Sequence, residues 1–238
     1  DVNYEEEIYK TKVLNSKGYE IFSGYGNVEP FENTNGNKTW YEKNVLRYKS
    51  NDKYGLIDFK GKEVLKPEYD NIYPLSGIES CLILEKEGKK GLFNTAMEEV
   101  VVEPEYADVG ALSETYQNGY TVKNKDNKVG LIGSDKSKIL TCQYDEIKSI
   151  SGNNYYVVVE NGTLEIINSY GKIILNKGFD SVEAIELDNF IVKKDNKYGL
   201  IDKDGNVIIT IEYDDLKFSV TNYFIAKKDN AYGIISKD

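Results

Sequence analysis

The sequence contains no histidine, and only two cysteines, four prolines and one methionine occur among its 238 residues. The absence of histidine removes the commonest general base and the commonest metal ligand. Cys81 and Cys142 lack the spacing of a zinc site and fall at different points of the repeat described below, so we expect two free thiols. We predict no catalytic residue, no metal and no cofactor, although two carboxylates alone would suffice for a glycosidase.

Long apolar runs and a surplus of basic residues are also absent. No stretch approaches the roughly 18 consecutive apolar residues of a membrane helix, so we expect no membrane span. A net charge of −10 argues against nucleic acid, whose phosphates select basic surfaces, and solubility explains it most simply. The chain starts at Asp1 without a methionine, from which we expect either a removed leader or a segment of a longer protein.

A short phrase returns along the chain. The segment 54–58 reads Tyr-Gly-Leu-Ile-Asp, and close copies occur at 198–202 and 232–236, with weaker copies beginning near residues 90, 129 and 164. The copies recur every 34 to 39 residues, a period typical of one supersecondary unit repeated in tandem. The residues that anchor the repeat are Tyr54, Gly55, Gly91, Gly130, Tyr198, Gly199, Tyr232 and Gly233.

Each copy has the pattern of strands joined by tight turns. After Gly199, a β-rich run at 200–202, a polar turn at 203–206 and a second β-rich run at 207–209 predict a hairpin. An aromatic residue followed by an acid comes next, as in Tyr213-Asp214, and a last apolar strand returns at 224–226. No segment has a helical period longer than a turn or two, so the sequence predicts an all-β chain.

Two kinds of turn connect these strands. The turn inside each hairpin ends in glycine, but this glycine is lost at Asn94–Ala96 and Gly133–Lys136, where we expect looser hairpins. The turn between copies has two residues that tolerate positive φ, which joins consecutive copies into one antiparallel meander. The candidate two-residue turns are Asn51-Asp52, Glu87-Gly88, Asp126-Asn127, Asn161-Gly162, Asp195-Asn196 and Asp229-Asn230.

The copies divide the chain into a single repeat array over residues 1–238. We predict a degenerate N-terminal copy with an insertion at 1–50, its first strand at Thr11–Leu14, and a C-terminal half-repeat cap at 231–238. The predicted repeats between them are 51–87, 88–126, 127–161, 162–196 and 197–230.

The aromatic-Gly-Leu-Ile-Asp opening, the glycine turn and the Pro67-Glu68-Tyr69-Asp70 centre resemble the bacterial WG repeat, also called the KWG repeat. Tyr54, Tyr198 and Tyr232 stand at the position of the family's tryptophan, whereas Lys90 and Leu164 depart from it. The resemblance covers about residues 51 to 236. It implies a repeated fold unit and almost nothing about activity.

Acidic residues recur in each copy and raise the question of catalysis or metal binding. Asp70, Asp145 and Asp214 appear once per repeat, so a structural role such as capping a turn explains them best. The segment starting at Asp202 is similar to a calcium loop, but its twelfth position is Tyr213 rather than glutamate. We therefore interpret it as a hairpin turn.

Aromatic residues give the binding candidates. We expect the tyrosines beside Gly55 and Gly199 to be largely buried against those glycines. The insertion contains the pair Trp40-Tyr41, which we identify as a candidate binding site because exposed rings can stack on sugars. Lys193-Lys194 and Lys227-Lys228 have the pattern of a solvated edge, and we assign them no partner.

We predict a non-catalytic repeat scaffold that binds another macromolecule, in a bacterial envelope or secreted context, with an extracellular or cell-surface location favoured. The alternative is a carbohydrate or cell-wall binding module, so the expected partner is a protein or a cell-wall glycan. We expect an open superhelical β-array, with a closed six- or seven-bladed β-propeller as the alternative. Small-angle scattering distinguishes the two, because a compact globule of this length has a radius of gyration of about 18 Å.

Overall fold

The computed structural model describes residues 2–3, 8–9, 12–150, 155–185 and 189–237. The described residues form antiparallel strands and one three-residue 3-10 helix, Tyr116–Asn118, which confirms the all-β prediction. None of them forms a helix with the length and apolar composition to cross a membrane. The chain divides into two compact units, Asp1–Asp126 with Ile132–Ser137, and Asn127–Leu131 with Lys138–Asp238.

The first unit contains two four-stranded sheets and several smaller strand pairs. Its strands are β1 (Val2–Asn3), β2 (Ile8–Tyr9), β3 (Val13–Leu14), β4 (Glu20–Ile21), β5 (Gly26–Glu29), β6 (Glu32–Asn35), β7 (Lys38–Tyr41), β8 (Val45–Ser50), β9 (Lys53–Asp58), β10 (Glu63–Tyr69), β11 (Asn71–Pro74), β12 (Cys81–Lys86), β13 (Lys89–Asn94), β14 (Glu99–Tyr106), β15 (Asp108–Ala111) and β16 (Tyr120–Lys123). The two larger sheets have the strand orders β10-β9-β8-β5 and β11-β12-β13-β14.

The division between the units falls inside β17 (Val129–Ile132), and the second unit continues the same strand pattern. Its other strands are β18 (Lys138–Tyr144), β19 (Glu146–Ile150), β20 (Tyr155–Glu160), β21 (Thr163–Asn168), β22 (Ile173–Phe179), β23 (Ser181–Ile185), β24 (Asn189–Lys194), β25 (Lys197–Ile201), β26 (Val207–Tyr213), β27 (Asp215–Val220), β28 (Tyr223–Lys228) and β29 (Ala231–Ser236). Its sheets have the orders β19-β20-β21-β22, β23-β24-β25-β26 and β27-β28-β29.

A four-stranded meander is the structural unit, and it is offset from the copies read in the sequence. The strand after the glycine turn ends at the aromatic residue, the following residue interrupts the ladder, and the next strand begins a new sheet. Tyr69, Asp70 and Asn71 show this, because β10 ends the first sheet and β11 begins the second. The predicted N-terminal copy also has a strand, β3, although Thr11 lies outside the described residues.

The two-residue turns agree with the sequence. Type I′ turns need positive φ at both central residues, and Asn161 and Gly162 have φ values of 51° and 77°. The turns at 51–52, 87–88, 195–196 and 229–230 have the same signs at both positions, whereas at 126–127 only Asn127 is positive. Asn, Asp and Gly tolerate this region of backbone space, which explains why these residue types recur there.

The turns within the hairpins confirm the glycine-ended turn predicted from the sequence and correct the expectation of a looser hairpin where that glycine is lost. At Asp58, the side-chain Oδ1 accepts hydrogen bonds from the backbone N–H groups of Lys60 and Lys62, each at 2.8 Å, and Gly61 has a φ of 82°. The expectation of a looser hairpin at Gly133–Lys136 is wrong. Lys136 adopts a φ of 69° there, and its N–H donates to the Gly133 carbonyl at 2.9 Å, so the turn keeps its form without the glycine.

The anchor glycines Gly55 and Gly199 lie beneath a bulge of the neighbouring strand. Between the pairs Tyr198↔Tyr213 and Leu200↔Ile209 the register shifts, and the extra residues of β26 arch over Gly199. A Cβ atom at Gly199 would lie 2.7 Å from the Ile209 carbonyl oxygen, and at Gly55 it would lie 2.6 Å from the Leu65 carbonyl oxygen. No larger residue fits at these positions without movement of the backbone.

The tyrosines beside the anchor glycines differ in burial. Tyr54 and Tyr198 are half-buried, and each packs at the margin of a hydrophobic cluster. Tyr232 is 68% exposed, and a Cβ at Gly233 would meet no atom within 4 Å. The expectation concerned Tyr54 and Tyr198, and both are more covered than exposed. The glycine's close neighbour is the backbone of the bulged strand.

Successive sheets pack face to face within each unit. In the first unit, Leu56 of β9, Ile72 of β11 and Leu84 of β12 are completely buried in one cluster. In the second unit, Leu200 of β25 packs with Leu216 and Phe224 of the following sheet. The core therefore consists of layers between sheets, each filled by one copy and the next, as expected for a repeat array.

Candidate functional site

The acid that recurs once per repeat binds to its own repeat. The carboxylates of Asp70, Asp145 and Asp214 form ion pairs with Lys53, Lys128 and Lys197, respectively. The second oxygen of each carboxylate accepts a hydrogen bond from the backbone N–H of a two-residue turn, at Glu87, Asn161 and Asp229. These acids therefore fasten the end of one sheet to the turn of the next, which confirms the structural interpretation.

These contacts also change the acidity of the three carboxyl groups. The hydrogen bond from Lys128 holds the pKa of Asp145 below its ordinary value, and the N–H of Asn161 acts in the same direction. Lys53 and Lys197 lower the pKa values of Asp70 and Asp214 in the same way. A carboxyl group with a lowered pKa is ionised at neutral pH, so none of the three is tuned to act as a general acid.

Two lysines predicted to lie on a solvated edge have aromatic partners. The Nζ of Lys193 lies 5.5 Å from the ring centroid of Tyr198, and that of Lys227 lies 5.6 Å from that of Tyr232. Each lysine is the direct cross-strand neighbour of its tyrosine. Lys90 replaces the tyrosine in the second copy, and its cross-strand neighbour is Glu85, so the pair remains complementary there.

The insertion at the N-terminal end forms a hairpin that belongs to no repeat. Strands β6 and β7 pair with each other, with Asn33 opposite Trp40. Asn33 is buried, its amide nitrogen donates to the carbonyls of Leu75 and Ile78 at 3.0 Å, and its Oδ1 accepts from the N–H of Gly77 at 3.1 Å. A buried side chain with these three bonds fixes the hairpin against the 75–78 loop.

A groove of about 270 Å³ lies between this hairpin and two loops of the first unit. One wall carries Trp40, which is half-buried, together with Asn35 and Lys38 of the same hairpin. The other wall is formed by Gly77, Glu79 and residues 114–117. The groove thus combines aromatic rings from Trp40 and Tyr116 with amides, carboxylates and one lysine, a set that can hold a polar ligand with an apolar face.

The charged side chains of Lys38 and Glu79 in the groove form only a weak, exposed ion pair. Lys38 Nζ lies 5.4 Å from the centre of the Trp40 ring and 3.4 Å from Glu79 Oε1. Both side chains are mostly exposed, so the ion pair contributes little and can separate when a ligand enters. Thr115 accepts a hydrogen bond from the Gln117 N–H at 3.1 Å, which orders the short helix that presents Tyr116.

The structure separates the two candidate residues Trp40 and Tyr41. Successive residues of a strand point to opposite faces, and Trp40 lines the groove whereas Tyr41 does not. Tyr41 is 54% exposed, and its hydroxyl donates to Glu32 at 2.9 Å, a bond that raises the pKa of the tyrosine. The site assignment therefore remains a prediction for both residues, with different surroundings for each.

The rest of the groove could not be identified from the sequence. Glu79, Glu114 and Tyr116 lie in loops 35 or more residues away from Trp40, and no repeat position marks them. The only local signal was that both loops interrupt the regular period, since the repeats 51–87 and 88–126 that contain them are longer than the three that follow. Insertions in a repeat array commonly extend one face and carry its binding residues.

Other chemistry is limited in the described part of the chain. Both cysteines are free, as predicted, and burial raises the pKa of Cys81 to about 12, so this thiol is unreactive at neutral pH. Across the described ranges, no group of three or more cysteine or acidic side chains is arranged to hold a metal ion.

Comparison with known proteins identifies the repeat. The family model described as "WG containing repeat" matches residues 54–89, 130–163, 166–198 and 198–232, which together make more than half of the chain. The unmatched stretch between the first two matches contains Lys90 and Ala107, the positions at which the second copy departs from the pattern. A search of curated proteins found no match.

Solved structures give only distant similarities. A eukaryotic initiation factor has 8% identity and a TM-score of 0.37, over 81% of this chain and 60% of that one. Hsv2p of Kluyveromyces lactis has 11% identity and a TM-score of 0.34, over 83% and 72%. The dihydro-heme d1 dehydrogenase NirN has 13% identity and a TM-score of 0.33, over 95% and 58%.

The chain spans about three fifths of the first of these structures, and the TM-scores are too low to support a conclusion about fold or function. The four matches to the repeat are sufficient to assign the family, because together they cover more than half of the chain. The chain belongs to the family of proteins built from WG-containing repeats.

Proposed function

We propose that this repeat scaffold is non-catalytic and binds another macromolecule through its non-repeated surface. The observation that carries the proposal is the separation between recurring and unique residues. The recurring acids, lysines and glycines are occupied in ion pairs, turn caps and bulges of their own repeats. The insertion hairpin is unique, is fixed by buried Asn33, and adds a groove to the array.

A glycan ligand is the second candidate, and the composition of the groove favours it. Sugars present an apolar face to aromatic rings and hydroxyl groups to carboxylates and amides. Trp40 and Tyr116 supply the rings, and Glu79, Glu114 and Gln117 supply the polar atoms around them. A cell-wall glycan in a bacterial envelope or secreted context is therefore the ligand class that we propose for this groove.

The test is a screen of glycans and peptidoglycan against the intact chain, repeated with Trp40→Ala and Trp40→Phe. We expect Trp40→Ala to weaken binding at least tenfold, which corresponds to about 1.4 kcal/mol, and Trp40→Phe to retain part of it. Tyr170→Ala is the control, because its ring is 90% exposed and does not line the groove, and we expect it to bind like the parent.

The two candidates give different results in this screen. Binding of a glycan that survives Trp40→Ala would contradict the groove as its site. Absence of all glycan binding would leave a protein as the proposed partner, and a pull-down with envelope and secreted proteins of the host would then test the scaffold. Detection of hydrolysed glycan after incubation would contradict the non-catalytic proposal.

A further inference from the structure

The groove beside the insertion hairpin already holds one ammonium group, that of Lys38. Lys38 and Trp40 are alternate residues of β7, so their side chains lie on the same face of the hairpin. The Lys38 Nζ lies 5.4 Å from the centre of the Trp40 ring and 3.4 Å from Glu79 Oε1. An aromatic face next to a carboxylate attracts ammonium ions, so the position of Lys38 shows which kind of group this part of the groove can hold.

The internal lysine can be replaced by a ligand. The side chains of Lys38 and Glu79 are 71% and 66% exposed, so water screens their ion pair and the pair contributes little. A ligand with its own ammonium group exchanges one cation for another, and Trp40 and Glu79 then keep a cationic partner. A neutral ligand on the Trp40 ring would displace the lysine without replacing its charge.

The other wall of the groove carries a second carboxylate, that of Glu114. This side chain is exposed, and no residue in the described part of the chain forms an ion pair or a hydrogen bond with it. The lining therefore has two carboxylates, Glu79 and Glu114, against the one ammonium of Lys38, which leaves one negative charge without compensation. A groove with this balance favours a cationic ligand over a neutral or anionic one.

The same lysine, ring and carboxylate also occur in the repeat, but without a groove. The Lys86 Nζ lies 5.7 Å from the centre of the Tyr69 ring and 2.7 Å from Glu68 Oε2, and none of the three residues lines the groove. The arrangement alone is thus an ordinary feature of this surface. What distinguishes the groove is the uncompensated Glu114 and a volume of about 270 Å³ beside it.

We propose that the groove binds its glycan through a free amino group, as carried by a hexosamine whose nitrogen is not acetylated. This inference rests on the proposed function of the groove as a glycan site and specifies the ligand of that site. The ammonium group of the sugar takes the place of the Lys38 ammonium beside Trp40 and Glu79, and Glu114 compensates the displaced charge. An N-acetylated sugar has a neutral amide at this position and cannot neutralise either carboxylate.

The test is calorimetric titration of the intact chain with two oligosaccharides, the tetramer of glucosamine and the tetramer of N-acetylglucosamine. At about pH 6, most free amino groups of the first tetramer are protonated and glutamate side chains are ionised. We expect the glucosamine tetramer to bind at least tenfold more tightly, with an affinity that falls as salt is added because ions screen the carboxylates.

The outcomes separate this inference from the proposed function. If the N-acetylated tetramer binds equally or more tightly, and its binding is lost in Trp40→Ala, the inference is overturned and the groove remains a glycan site. If neither tetramer binds, both the inference and the glycan site are contradicted.

Variants identify the charges responsible. Glu114→Gln keeps the size of the side chain, and we expect it to weaken binding of the glucosamine tetramer at least about threefold without changing that of the N-acetylated one. Lys38→Met removes the competing ammonium, so we expect tighter binding of the glucosamine tetramer. Glu68→Gln is the matched control, because Glu68 has the same kinds of neighbours outside the groove, and we expect it to bind like the parent. Unchanged affinity in Glu114→Gln, weaker binding in Lys38→Met, or an equal loss in Glu68→Gln would overturn the inference.

Discussion

At the scale of single residues, the recurring side chains are explained by contacts inside the repeat. Asp145 illustrates this, because one carboxylate oxygen binds Lys128 and the other caps the turn at Asn161. The second copy of this junction has Ala107 in place of the acid, and Lys90 pairs with Asp108 instead. Each of these junctions therefore has a lysine–acid ion pair next to the point where one sheet ends, although the acid differs between copies.

These ion pairs make stability depend on pH. The pKa values of Asp70, Asp145 and Asp214 are lowered in the folded chain, so the folded state binds fewer protons than the unfolded state. Their stabilising contribution is present at neutral pH and is lost as the pH falls below about 4, the region of the ordinary value of 3.8. We expect the melting temperature to fall between pH 5 and pH 3.

Asp145→Asn tests this cause directly. The amide retains a cap for the Asn161 N–H but loses the ion pair, so we expect a lower melting temperature at pH 7 and a smaller decrease on acidification. Parallel melting curves for the variant and the parent across pH 3 to 7, measured by circular dichroism, would show that Asp145 does not contribute to the pH dependence.

At the scale of strands and turns, local sequence accounts for most of the fold. Pairs such as Asn161-Gly162 predicted the type I′ turns, because few residue types accept positive φ at both positions. The sequence did not reveal that a short strand directly after the acid begins the next sheet. Segments such as Asn71–Pro74 are too short to show a clear strand pattern. It also gave no reason to expect the groove, because Trp40 and Tyr116 line it together only through the way that loops from different copies fold.

The third hairpin shows that a turn can persist after its best residue is lost. Lys136 adopts a φ of 69°, a region in which a residue with a Cβ atom costs about 1–2 kcal/mol. Its ion pair with Glu99 is exposed and offsets little of this cost. We expect Lys136→Gly to raise the free energy of unfolding by up to about 1 kcal/mol in urea titrations.

Lys138→Gly is the matched control for this prediction. Lys138 begins β18 and is exposed, so glycine there removes no strain and increases the freedom of the unfolded chain. We expect this variant to be less stable than the parent. If Lys136→Gly destabilised the chain as much as Lys138→Gly, positive φ at residue 136 would not be a source of strain.

At the scale of the whole molecule, the recurring residues are accounted for by contacts within the repeat. The residues that do not recur, such as those of the insertion hairpin, are the ones that we propose for binding. The sheets of the two units follow the same strand order, and the family match covers four copies. Whether the array is an open superhelix or a closed propeller remains a prediction. The central claim is that the backbone arching over Gly199 requires glycine at that position, whereas Gly233, which no strand covers, can be replaced.

Unfolding by urea of Gly199→Ala and Gly233→Ala, at low protein concentration, tests this claim most directly. Both glycines follow a tyrosine in the same phrase, but only at Gly199 would the new Cβ lie 2.7 Å from a backbone oxygen of the next strand. We expect Gly199→Ala to lose about 1–3 kcal/mol of unfolding free energy and Gly233→Ala to lose none. Equal losses in the two variants would contradict the account.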